Sequence, residues 1–84
     1  MERRTVKALI DAGAVKQFDL IANGGEFYLE IKTSAGKEII TGANGGIKTW
    51  RTIDSAAKWV HILGVGKLQL KIDQWHPGQK TIGI

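Results

Sequence analysis

The residues of this chain best suited to recognition chemistry are basic and aromatic. Lys48, Trp50 and Arg51 fall within the run KTWR, and Arg3, Arg4 and Lys7 crowd the first ten positions. Lysine and arginine neutralise phosphates and release their counterions, and an indole face can stack on a base. These six positions therefore predict contact with DNA or, since Trp and Arg are also enriched at protein interfaces, with a partner protein. Each has a plainer reading. Trp50 can act as a hydrophobic staple over the start of the next helix, and Arg3, Arg4 and Lys7 can be an exposed basic start without a role. Trp75, beside His76, is either a lid over one end of the core or part of a contact surface.

Other chemistry is poorly supplied. There is no cysteine, so disulfides, thiolate metal sites and a cysteine nucleophile are excluded together. The two histidines, His61 and His76, have no acidic or histidine partner at metal-binding spacing. Glu26, Glu30, Glu38, Asp54 and Asp73 are scattered, each near a lysine or a cap position, and Ser34 and Ser55 lack a nucleophile's context. Asn44-Gly45-Gly46 could bring backbone amides close to an anion, but its spacing is neither that of a P-loop nor that of a dinucleotide fingerprint. The expectation is a non-enzymatic protein without metal or cofactor.

The basic and aromatic residues must be positioned by a small set of elements. Ile53, Ala56, Ala57, Val60 and Leu63 form one helical stripe, with Thr52 as N-cap and Gly64 as the left-handed stop. A shorter helix is expected over residues 3–12, with Val6, Leu9 and Ile10 apolar and Gly13 ending it. Its first half carries three cations at the positive end of the helix dipole, a local rule broken.

Strand periodicity replaces helical periodicity from Gln17. Phe18, Leu20 and Ala22 alternate with Gln17 and Asp19, Asn23-Gly24-Gly25 turns the chain, and Phe27, Leu29 and Ile31 alternate through EFYLEIKT. Residues 37–41 form a third strand and 67–74 a last one, half-buried through Leu68, Leu70 and Ile72. Residues 47–50 read as a short extended lead-in to the helix. Pro77-Gly78 marks a final turn, after which Ile82 and Ile84 either pair on an edge or fray.

The resulting fold class is α+β in two layers: a mostly antiparallel four-stranded sheet with one face covered by helices, in the order α-β-β-β-α-β. At 84 residues it is one domain, residues 1–84, with one modest core. The formal net charge of +4 and pI near 9.6 favour an anionic partner, though a small net charge also keeps a small domain soluble. No apolar run approaches the roughly 18 residues of a membrane span, and Met1-Glu2-Arg3-Arg4 leads into no signal-peptide core. A cytoplasmic protein with no membrane partner is expected.

The opening RRTVKALIDAGAV, the run from Gly45 to Trp50, the helix DSAAKWV, the following LGVGKLQL and the closing WHPGQ together resemble a family of small plasmid partition-associated proteins called ParC. The resemblance spans nearly the whole chain. It implies a setting among plasmids and integrative elements of bacteria, beside a partition ATPase and its centromere-binding partner. It brings no catalytic or binding residues to transfer. The readings that follow are an accessory protein of partition or maintenance that binds DNA or partition-complex proteins, a pure protein-interaction module such as a homodimer, and a small mobile-element inhibitor of a host defence complex.

Overall fold

The computed structural model describes residues 1–42 and 44–75. The Pro77-Gly78 turn, His76 and the expected pairing of Ile82 and Ile84 lie outside the described residues. Among the described residues two helices and five strands follow one another as α1 (Arg3–Asp11), β1 (Val15–Asn23), β2 (Glu26–Thr33), β3 (Gly36–Ile39), β4 (Thr49–Trp50), α2 (Ile53–Ile62) and β5 (Gln69–Lys71). The protein is α+β with a mixed sheet.

Alternation in the two long strands sets the sheet. Phe18, Leu20 and Ala22 of β1 face Ile31, Leu29 and Phe27 of antiparallel β2, and all six side chains are buried on one face. Gly24, with φ of 67°, makes the tight connection between them. β3 pairs antiparallel with the C-terminal half of β2 and β4 with its N-terminal end, so both lie on the same side of it. β5 closes the other side of the sheet against β1.

Helix α2 is built as its sequence dictates. The Thr52 hydroxyl accepts a hydrogen bond from the Ser55 N–H at 3.2 Å, Asp54 lies in the first turn, and Gly64 takes φ of 95° beyond the last turn. Ala56, Val60 and Leu63 then meet the apolar face of the sheet, joined by Val6 from α1 and by Ile40, in a single core.

Two expectations are corrected. The strands number five, because residues 49–50 pair with Phe27 and Tyr28 and so complete a strand where a lead-in was expected. The last strand runs parallel to β1, a departure from an antiparallel sheet. The two corrections share one cause. β4 and β5 run in the same direction, and α2 is the crossover that parallel strands require between them. The last strand is also shorter than expected, and its Leu70 and Ile72 are exposed where half-burial was expected. α2 packs over β2 and β4 instead, at the other side of the sheet.

The polar face of the sheet holds one residue that alternation alone does not single out. Asp19 is completely buried there. Its Oδ1 accepts from Gln17 Nε2, while Oδ2 has no hydrogen-bond partner among the described residues and lies 3.5 Å from Lys71 Nζ and 3.9 Å from Lys32 Nζ. The carboxylate thus binds β2 and β5 to the central strand through charge. Asp19→Ala is expected to lower stability by about 1.5–3 kcal/mol, the range for hydrogen bonds to charged groups. Lys32→Ala or Lys71→Ala alone should cost about 0.2–1 kcal/mol, because each ammonium is partly solvated and leaves the other in place. Denaturant midpoints for the three variants check the order.

Candidate nucleic-acid interface

The start of α1 is tied to the end of β3. The Met1 amino group donates to the Ile39 carbonyl at 2.9 Å and to the Thr41 hydroxyl at 3.1 Å, and the Thr41 N–H donates to the Met1 carbonyl at 2.8 Å. The chain then turns back. Gly42 N–H donates to the Gly46 carbonyl, Gly46 N–H to the Asn44 side-chain oxygen, and Gly45 has φ of 86°. This turn pairs Thr41 with Ile47 and carries Lys48 alongside Ile40, whose carbonyl accepts from the Lys48 N–H. Lys48 therefore ends beside the first turn of α1, some forty residues away in sequence.

Between this edge and α2 lies an open groove of about 700 Å³. Arg3, Arg4, Lys7 and Lys48 line it with cations, and Trp59, Ile62 and Leu63 supply its apolar part. Glu2 is the one carboxylate lining it among the described residues. Arg3, Arg4 and Lys7 are exposed, as is Ile62, at 69%. Helix α1 has no acidic residue in its first turn, and Glu2 at the N-cap makes no side-chain capping bond. Arg3 and Arg4, in the first turn, are thus set against the helix dipole, with only the Glu2 carboxylate at the N-cap beside them among the described residues.

Lys7 is more committed than the arginines. Its Nζ lies 3.1 Å from Asp11 Oδ1 and donates to the Leu63 carbonyl at 3.5 Å, crossing from α1 to the C-terminal cap of α2. Lys48 Nζ stands 5.3 Å from the centroid of the Trp50 ring, within cation–π range. Trp50 in turn meets Trp59 edge to face, 5.5 Å between centroids at 64°. Trp50 is therefore a half-buried backing for the groove, and it is Trp59 that lines it.

Four of the six residues singled out in the sequence, Arg3, Arg4, Lys7 and Lys48, come together in this groove. Trp50 touches it through Trp59. Arg51 does not line it: it is exposed in the turn before α2. The groove residue that sequence does not single out is Trp59: it stands beside the buried stripe of α2, and that spacing gives no sign that it shares a groove with α1. Trp75 is half-buried against Phe27, 6.0 Å between ring centroids, and its backbone bridges to Gly24, so it closes one end of the core.

A second groove of about 790 Å³ runs between the end of α1, the start of β1 and residues 65–69; Ile10, Val15, Phe18 and Leu68 line it, with only Lys16 and Lys67 as charges. Among the described residues no three His, Asp or Glu side chains gather where a metal could be held, and no helix is long and apolar enough to cross a membrane. Set against protein-family models, curated proteins and solved structures, the chain matches none.

Proposed function

We propose that this chain is a non-enzymatic, cytoplasmic accessory protein of plasmid or mobile-element maintenance that binds DNA in the groove between α1 and α2. The observation that carries the reading is the convergence of Arg3, Arg4, Lys7 and Lys48 on one groove, from two segments some forty residues apart, with one carboxylate among the described residues that line it. Four cations around an open trough match a run of phosphates, and the apolar wall of half-buried Trp59 and exposed Ile62 can lie against sugars or an unpaired base. The resemblance to the ParC family supports the setting and leaves the contact to be supplied by these side chains.

Phosphate contacts have a quantitative signature. With four phosphates neutralised, the logarithm of the binding constant should fall against the logarithm of salt with a slope of roughly −3.6, about a 150-fold loss between 50 and 200 mM salt. Fluorescence anisotropy with a short labelled duplex over a salt series measures it. Absence of binding at the lowest salt, or binding indifferent to salt, would overturn the reading. Because phosphates carry no sequence information, affinity should vary little between duplexes of different sequence.

A further inference from the structure

β5 has a neighbour on one side only among the described residues. It pairs in parallel with Asp19, Leu20 and Ile21 of β1, and no described strand pairs with its outer edge. Leu70 lies beside the core residue Leu20, on the face that carries the helices, yet it is 42% exposed; Ile72, on the same face by alternation, is 46% exposed. A free edge flanked by large apolar side chains is a template for another strand.

We propose that this edge pairs with the same edge of a second copy of the chain, antiparallel and centred on Leu70. The sequence KLQLKID, residues 67–73, is complementary to itself in that register. Leu70 meets Leu70, Leu68 meets Ile72, Gln69 meets Lys71, and Lys67 meets Asp73. Leucine then opposes leucine on the helix-bearing face within β5, and past its ends Lys67 comes opposite Asp73, which stands in the turn after the strand. Moving the centre to Gln69 sets Lys67 against Lys71, and moving it to Lys71 sets that lysine against its own copy. Centres between residues bring the helix-bearing face of one copy to the polar face of the other and put leucine opposite lysine. Centres on Leu68 and on Ile72 also keep both sets of helices on one side without opposing like charges, but the register on Leu70 alone pairs the whole of β5 with itself. The two sheets become continuous, and Leu70 and Ile72 gain the apolar neighbours that α2, lying over β2 and β4, does not provide. None of the residues involved lines the basic groove, so the dimer stands or falls separately from DNA binding.

The absence of native cysteine makes the register directly testable. In the proposed dimer the two Leu70 Cα atoms sit about 4.5–5.5 Å apart, a separation that a disulfide spans. Leu70→Cys in the full chain should cross-link to a covalent dimer under mild oxidation, several-fold faster than Glu38→Cys on the opposite edge of the sheet. Sedimentation of the unmodified protein should show a dimer fraction that rises with concentration. Lys67→Asp and Asp73→Lys should each weaken self-association, and the double exchange should restore it. Circular dichroism confirms that the variants, all at exposed positions, retain the fold. A protein monomeric at every concentration overturns the proposal and leaves the edge to a strand of another protein; so does faster cross-linking through Glu38→Cys, or a double exchange that fails to restore the dimer.

Discussion

Phe27→Ala is expected to remove about 3–5 kcal/mol of stability, the largest loss from any single substitution in the sheet. Phe27 is 2% exposed and stands where four elements meet: Ala22 of β1 opposite it on one side, Trp50 of β4 on the other, Trp75 at 6.0 Å and the buried stripe of α2 across the core. Its neighbours cannot fill the space, since Ala22 is small and both tryptophans are held by other contacts. A domain of 84 residues has a total stability on the order of 4–13 kcal/mol, so this one side chain accounts for a large share of it. Urea unfolding followed by tryptophan fluorescence measures the change, with Ile62→Ala as the exposed comparison, expected to stay within about 0.5 kcal/mol. A loss below about 1 kcal/mol for Phe27→Ala would mean that this end of the sheet is not a packed core.

The elements that depend on local pattern were legible in the sequence. β2 follows from unbroken alternation over eight residues and β1 from the alternation of Phe18, Leu20 and Ala22 after Gln17, and α2 from a stripe with a capping threonine before it and a glycine after it. β4 was not legible as a strand, because two residues carry no period; it exists through pairing with Phe27 and Tyr28, distant partners that no window around Thr49 contains. Missing it hid the β4-α2-β5 crossover and with it the parallel direction of the last strand. The exposure of Leu70 and Ile72 was hidden for a related reason: alternation shows which face a side chain takes and is silent on how far a helix reaches across that face. Asp19 is the clearest case. Its place in β1 reads as an ordinary polar position, and its complete burial arises from Gln17 beside it and from lysines on two neighbouring strands. The basic groove was half visible. Three cations at the start of a helix break a local rule that any reader of the sequence can see, but their meeting with Lys48 depends on the turn at residues 42–46 and on the bonds between Met1 and the end of β3.

That broken rule separates function from structure in the second prediction. Replacing Arg3, Arg4, Lys7 and Lys48 together by glutamine is expected to abolish the salt-dependent part of DNA binding, bringing the slope from roughly −3.6 to near zero. Taken singly, Arg3→Gln and Arg4→Gln should each flatten the slope by about one unit. Lys7→Gln should do less, since Lys7 is already engaged by Asp11 and by the Leu63 carbonyl. Stability should move the other way. Cations in the first turn oppose the helix dipole, so each arginine removed should stabilise the domain by about 0.3–1 kcal/mol at low ionic strength. A variant that binds less while melting higher identifies side chains kept against the interest of the fold, which is the mark of a contact surface. If Arg3→Gln and Arg4→Gln instead lower the melting temperature, the arginines hold α1 in place, and any loss of binding follows from the helix rather than from phosphates. Measuring both quantities on the same samples, at low and at high salt, distinguishes the two, because the dipole penalty and the phosphate contacts are both screened but shift stability and affinity in opposite directions.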